Sequence, residues 1–195
     1  MGRLAVIINS FNRVELLKGA IASAMEALQD CDIEGAIFVF EAGSNDGSLQ
    51  FLKAKKEESD VPIRIIRPEP GEATSFAAGV NRAIEEAGDQ LPDLQWCLLY
   101  ETDNYFKRPE ALQEALRLMQ RRSELGALGF TVERHDGREA GYGERFPTVR
   151  SFLLGQQVSA KLGLLEPEPT WQQEAGHRFS YADVVYTSPL LVSRE

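Results

Sequence analysis

Only two cysteines, Cys31 and Cys97, occur in 195 residues. Cys31 falls in a polar connection and Cys97 in an apolar run. That placement argues against a structural disulfide and for a reducing compartment, the cytoplasm. Positive charge is scarce: 21 Lys and Arg stand against 30 Asp and Glu, a formal net charge of −9. A nucleic-acid surface needs a basic stripe to displace counterions, so that class is excluded, whereas a nucleotide ligand is not. No apolar run reaches membrane-spanning length, which leaves room for peripheral membrane association at most. The first strand pattern begins by Leu4, too early for a signal peptide to precede it. Val6 stands where N-myristoylation requires Ser or Thr. The two histidines, His135 and His177, lie far apart and outside any HExxH context. Neither GxxxxGK[ST], GxGxxG nor GxSxG occurs, and neither cysteine has a recognisable nucleophile setting.

What the chain does contain is the composition of an ordinary globular protein, 43% hydrophobic and 26% charged, at a length that predicts one domain. Residues 96–106 (Trp-Cys-Leu-Leu-Tyr-Glu-Thr-Asp-Asn-Tyr-Phe) organise the reading. Five mostly apolar residues are followed at once by two carboxylates one residue apart. Such a run suits a strand buried on both faces, as in the middle of a parallel sheet. Residues 4–8 (Leu-Ala-Val-Ile-Ile) and 35–40 (Gly-Ala-Ile-Phe-Val-Phe) read the same way, and 63–66 as a shorter strand. Between them, apolar residues at helical spacing predict helices through Leu17, Ile21, Ala24 and Leu28, from about 47 to 58, and through Phe76, Val80, Ala83 and Ala87. Asp46 is placed to cap the second of these. A fourth helix follows Pro109, with Leu112, Ala115, Leu116 and Met119 on one face.

Strand and helix alternating four times predict an α/β fold with a mostly parallel sheet and right-handed crossovers. After Arg122 the pattern changes. Residues 126–134 read as a strand, Asp136-Gly137 as a hairpin turn, and 138–142 as its partner. A weak helix is expected near 152–162, a Pro/Glu loop at 166–170 and a strand at 184–187. Ser193-Arg194-Glu195, after an apolar triplet, has the form of a helix start, which reads as a chain ending within its fold.

In a parallel sheet the carboxyl ends of the strands converge on one edge, where ligands bind. Ser10 and Asn12 follow the first strand, Glu41 the second, and Glu101 and Asp103 the fourth. Glu41 is free to accept from a base N–H or a ribose hydroxyl, and Gly43 and Gly47 let backbone approach a ligand. A divalent ion held by Asp103 with Glu101 beside it would offset the desolvation of both; the competing reading is a solvated pair of acids. Asn81, in the third helix, fits either the crevice or amide packing in the interior. Trp171, Phe179 and Tyr181 fit either stacking on an acceptor sugar or packing among themselves.

The succession Val-Ile-Ile-Asn-Ser-Phe-Asn-Arg (6–13), Val-Phe-Glu-Ala-Gly-Ser-Asn-Asp-Gly-Ser (39–48), Ser-Phe-Ala-Ala-Gly-Val-Asn-Arg-Ala-Ile (75–84) and Leu-Tyr-Glu-Thr-Asp-Asn (99–104) resembles family 2 glycosyltransferases of the GT-A fold. Within that family it is most similar to the rhamnosyltransferase-like branch, and residues 184–195 are similar to the acceptor-side segment. The resemblance implies a single GT-A-like domain over 1–195, with 1–122 the donor-nucleotide half and 123–195 part of an antiparallel acceptor side. Ser10, Asn12, Arg13, Glu41 and Asn81 would border the nucleotide of an activated sugar, and Asp103 with Glu101 would hold Mn²⁺ or Mg²⁺ against the diphosphate. An acceptor hydroxyl, on a saccharide or other acceptor, would then attack with inversion. The chain departs from the pattern at Asn9, where proline is usual, and at Glu41 and Glu101, where aspartate is. The usual catalytic base lies in an acidic motif beyond the acceptor-side segment, for which this chain has no residues; Glu174 and Asp183 are the nearest substitutes. A binding module of the same fold without turnover is the alternative reading. A nucleotidyltransferase is disfavoured, since residues 9–13 contain no glycine.

Overall fold

Strands that are apolar on both faces have to be covered on both faces, and the helices between them supply the cover. In the computed structural model of the protein, residues 2–134, 136–141, 143, 146, 148–164, 170–174 and 177–194 are described. The first part of the chain alternates β1 (Arg3–Ser10), α1 (Val14–Gln29), β2 (Gly35–Glu41), α2 (Ser48–Glu58), β3 (Ile63–Ile66), α3 (Phe76–Gln90), β4 (Leu94–Leu99) and α4 (Glu110–Arg121). Shorter elements follow: β5 (Ala127–Gly129), β6 (Val132–Glu133), β7 (Glu139–Gly141), α5 (Val149–Leu154), α6 (Gln156–Lys161), β8 (Gln172–Glu174), β9 (His177–Phe179) and β10 (Leu190–Ser193).

A six-stranded sheet runs in the order β3-β2-β1-β4-β10-β5. β1 pairs in parallel with β2 and β4, and β2 with β3, while β10 returns antiparallel along β4. β1 is therefore flanked by two later strands, β2 on one side and β4 on the other, and the reversal of strand order between them is the switch point at which open α/β sheets leave a crevice beyond their carboxyl ends. The pleat sends Ala5 and Ile7 of β1 and Phe38 and Phe40 of β2 into one cluster with Ala83 and Ala87 of α3. Val6, Ile8, Ile37 and Val39 alternate with them and are equally buried.

The chain divides into two compact units, residues 1–128 with 187–195, and residues 129–186. The second holds two small antiparallel ribbons, β6–β7 and β8–β9. The expected hairpin at Asp136-Gly137 forms, with Glu133 opposite Glu139 and Gly137 at φ +80°.

Several expectations after Arg122 need correction. The single strand over 126–134 is two, because Phe130 and Thr131 leave strand geometry between β5 and β6. The helix near 152–162 is two short ones, broken where Gly155 takes φ +74°. The strand at 184–187 reduces to an isolated bridge at Val184. Ser193 starts no helix: it closes β10, and its hydroxyl donates to the carbonyl of Gly126 at 3.3 Å. His135, Tyr142, residues 166–169 of the Pro/Glu loop and Glu195 lie outside the described residues.

Gly79, buried on α3, lies where the helix packs on the sheet. A Cβ there would lie closer than 3.0 Å to both Asn9 Oδ1 and the buried Phe40 ring. Gly79→Ala is expected to cost roughly 1–3 kcal/mol by overpacking. Gly19, on the exposed side of α1, has nothing within 4 Å of its Cβ position, and Gly19→Ala is expected to add about 0.5–1 kcal/mol. Urea unfolding of the pair checks both signs.

Candidate functional site

The pairing of β1 with β2 ends in register at Ser10 opposite Glu41, and that of β1 with β4 at Ile7 opposite Leu99. The loops after β1, β2 and β4 therefore leave the sheet from one edge. The first two are laced together. Ala42 N–H donates to the Ser10 carbonyl at 2.9 Å, Asn12 N–H to Ser44 Oγ at 3.0 Å, and Asn45 N–H to Asn12 Oδ1 at 2.9 Å. Asn12 sits at φ +50° to do this, a conformation that asparagine tolerates better than most residues.

Asp46 is the clasp. Its Oδ2 accepts from Val14 N–H at 2.8 Å, at the first residue of α1. Its Oδ1 accepts from Ser48 N–H at 3.0 Å and from Ser48 Oγ at 2.6 Å. The expected cap on α2 is thus half of its work, since Gly47 holds the N-cap position itself at φ 94°. The Ser48 hydroxyl, and after it the two backbone donors, hold the Asp46 carboxyl below its ordinary value.

Glu41 is wholly buried. Its Oε1 accepts from Ser44 N–H at 2.5 Å. Its Oε2 has no hydrogen-bond partner, and the nearest cation is Arg67, whose Nε lies 3.6 Å away. Ser10 Oγ beside it and Asn9 Oδ1 one pleat back are likewise buried and unpartnered. Buried polar groups are nearly always satisfied, and each one left alone costs about 1–3 kcal/mol. Ser10 and Glu41, paired across adjacent strands, turn to the same face at this carboxyl edge and keep hydrogen-bonding capacity for a ligand there, whereas Asn9 Oδ1 alternates to the other face, against Gly79 of α3.

The third loop carries the carboxylate pair. Ser188, just ahead of β10, accepts on Oγ from Glu101 N–H at 2.9 Å and from Asn104 Nδ2 at 2.5 Å. Ser23 of α1 accepts from Phe106 N–H at 2.7 Å and from the Tyr100 hydroxyl at 3.1 Å. The Tyr100 ring stacks on Phe106 at 5.3 Å, and burial pushes its phenol up to about 12. Asp103 is exposed, with Arg13 Nη1 at 4.0 Å from its Oδ2. Partial burial, then the charge of Asp103, raises the Glu101 carboxyl, against a smaller lowering by Arg13. No third His, Cys, Asp or Glu joins this pair to form a metal cluster among the described residues.

Ser10, Asn12, Arg13, Glu41, Glu101 and Asp103 thus lie on or beside this edge, linked by the loop lacing and by the Arg13–Asp103 contact. Asn81 is exposed on α3, whose buried face is Gly79, Ala83 and Ala87, so the interior amide role is not adopted. Ser23, Arg67 and Ser188 escaped the sequence reading, and Asn9 entered it only as a departure from the family pattern. Arg67 had a usable signal, a cation immediately after a strand end; the two serines had none. Cys31 and Cys97 are free thiols, pushed by burial up to about 12 and about 11, which keeps both protonated at neutral pH.

In the second unit, Phe179 and Tyr181 meet edge-on at 6.0 Å, and the Arg178 guanidinium lies 5.1 Å from the Trp171 ring centre. Asp183 accepts from Phe146 N–H at 3.0 Å. The side chain of Glu174 is outside the described residues.

Two predictions follow from the third loop. Ser23→Ala removes the acceptor of the buried Tyr100 hydroxyl and is expected to cost about 1–3 kcal/mol. Adding Tyr100→Phe removes that stranded donor, so a double-mutant cycle in denaturant should show positive coupling. Because the folded state raises the Glu101 carboxyl, it gains stability from this group below the ordinary 4.5 and loses it as pH rises. In metal-free buffer Glu101→Gln should therefore melt higher than the parent chain at pH 7, and the gap should close below 4.5. Melting curves across pH check the sign.

Residues 5–179 match the family model of glycosyl transferase family 2. The comparison with curated proteins finds no match. The mannosyltransferase PcManGT from Pyrobaculum calidifontis, solved with GDP-Man and Mn²⁺, aligns with TM-score 0.54 at 16% identity. That alignment spans 67% of this chain and 35% of the other. S. aureus TarS 1-349, solved with UDP-GlcNAc, aligns with TM-score 0.57 at 16% identity over 74% of this chain and 38% of the other. At such identity the likeness is one of fold, the GT-A glycosyltransferase fold, and the chain spans well under half the length of either protein.

Proposed function

The chain belongs to glycosyl transferase family 2, and on that premise we propose that it moves a sugar from a nucleoside-diphosphate sugar to an acceptor hydroxyl, with inversion. The observation that carries this reading is the buried Glu41 with its unpartnered Oε2, beside the unpartnered Ser10 hydroxyl, where a parallel sheet opens. A carboxylate there accepts from the N–H of a nucleobase or from a ribose hydroxyl, and Arg67, already facing it, turns to a base carbonyl. Asn12 keeps the loop that frames the nucleotide in place through its bond to Asn45, and Asn81 borders the same ligand from the exposed side of α3. Arg13 neutralises diphosphate charge.

Mn²⁺ or Mg²⁺ fits the hard oxygens of Glu101 and Asp103, whose mutual repulsion a cation relieves; with two protein carboxylates, most of its shell would come from phosphate and water. Such an ion supplies Lewis-acid stabilisation of the departing diphosphate. The side chains of this chain bind and orient the donor and hold the carboxylates against the Ser188 and Ser23 supports. Residues 1–122 form the donor half and 123–195 part of the acceptor side in this reading. Two free thiols suit the cytoplasm. The rhamnosyltransferase-like branch is the subgroup we favour, on the motif at 75–84.

Titration calorimetry with UDP-, GDP- and dTDP-linked sugars, with and without Mn²⁺, tests the proposal. One of them is expected to bind in a metal-dependent manner. Asp103→Ala should abolish that dependence, and Glu41→Ala should weaken binding by roughly ten- to a hundredfold, the loss of a hydrogen bond to a charged group. Release of free nucleoside diphosphate on adding acceptor identifies the enzyme, and binding without release the non-catalytic module. If no nucleotide binds under any metal condition, both readings fall.

A further inference from the structure

Between Glu144 and Glu166 the sequence holds three cations, Arg145, Arg150 and Lys161, and not one carboxylate, in a chain whose net charge is −9. The same stretch carries α5 and α6, and its apolar side chains face outward. Val149, Phe152 and Leu153 are 76%, 75% and 76% exposed. Phe146, Val158 and Leu162 are exposed as well. Of the exposed large apolar side chains among the described residues, half lie in this one segment. Single exposed apolar residues are ordinary, but a contiguous group is a surface kept for contact.

Spacing and charge together say what kind of contact. Val149, Phe152 and Leu153 stand at i, i+3 and i+4 on α5, and Val158 and Leu162 at i and i+4 across α6. Arg150 and Lys161 are exposed beside them. Each helix spans six residues, and no helix is long and apolar enough to cross a membrane among the described residues. Gly155 at φ +74° separates the two, so the apolar groups lie on a bent pair of short helices rather than one rod. A short segment with no carboxylate of its own and with cations beside Phe and Leu has the composition that settles into the headgroup region of an anionic bilayer; one carboxylate from outside the segment, Asp183, meets it at the Phe146 N–H. A carboxylate-rich surface would be repelled there, which is why the local reversal of charge matters in a chain this acidic.

We propose that the α5–α6 segment is a membrane-surface docking element whose apolar side chains insert among the acyl chains of an anionic leaflet while Arg150 and Lys161 pair with its headgroup phosphates. This holds or fails independently of the transferase reading.

Co-sedimentation of the full chain with phosphatidylcholine vesicles, with and without phosphatidylglycerol, tests it. Binding to the anionic vesicles is expected, falling several-fold as salt is raised. Phe152→Ser with Leu153→Ser should cut partitioning tenfold or more by removing buried apolar area. Arg150→Glu with Lys161→Glu should cut it about as far on anionic vesicles and leave the weak binding to neutral ones unchanged. All four positions are exposed, so unchanged circular dichroism and melting temperature certify the variants, and Leu162→Ser supplies a milder check with a smaller loss. Absence of binding to either vesicle, or binding indifferent to both double variants, overturns the proposal. So does self-association that Phe152→Ser with Leu153→Ser abolishes while no vesicle is bound; the surface is then a protein interface.

Discussion

The parallel pairing of β1 with a neighbour on each side is the constraint on which the candidate site depends. β2 and β4 reach β1 through crossovers that run in opposite directions, so the loops after the three strands leave from the same edge without crossing one another. Once Ser10 stands opposite Glu41 and Ile7 opposite Leu99, little freedom remains in where residues 11–13, 42–47 and 100–106 can lie. Burial of the strands on both faces fixes the register, because a slip by one residue would turn Ser10 and Glu41 to the other face of the sheet. Polar chemistry at the rim is thus held by apolar packing below it.

The rim itself is held by short polar side chains bonding to backbone, not by ion pairs between side chains. Ser44, Asn12 and Asp46 satisfy N–H groups of the opposite loop, and Ser23 and Ser188 do the same for the carboxylate loop from two separate elements. These partners have few rotamers and fixed donors, so each bond costs little side-chain entropy. Lys and Arg pairs on the same surface are more exposed and contribute less to a fixed geometry. A site held this way can present Glu41 in one orientation before any ligand arrives, which is what makes an unpartnered buried oxygen bearable: its orientation is set by Ser44 through the other oxygen.

This also explains what was legible in the sequence. The four βα units were readable because each strand is a continuous apolar run and each helix a periodic one, and both patterns are local. Glu41, Glu101 and Asp103 were readable because they follow such runs directly. Beyond Arg122 the apolar runs shrink to three or four residues, too short to separate strand from helix by period. β10 illustrates the failure: Leu190 to Val192 followed by Ser193 satisfies a helix-start rule, yet pairing with Leu98 and Cys97 makes it a strand. Ser188 and Ser23 were invisible for a different reason. Their partners lie 87 and 83 residues away in sequence, and nothing in a serine announces a tertiary contact.

The carboxylate pair raises a question of charge that the proposed reading answers. Glu101 and Asp103 stand one residue apart with Arg13 as a neighbour, and the Glu101 carboxyl is raised first by partial burial and then by the charge of Asp103. A nucleoside diphosphate brings two or more further negative charges to the same place. Arg13 cannot serve both: at 4.0 Å and more than half exposed it is a loose partner for Asp103, and turning toward phosphate would leave two adjacent carboxylates unscreened. In the proposed reading, a divalent cation held by Glu101 and Asp103 would free Arg13 for phosphate and relieve the repulsion between the two carboxylates. On these grounds the ion and the donor are expected to bind as a pair, each poorly without the other, because the loop carries too few protein ligands to hold the metal alone and too much negative charge to admit the diphosphate alone.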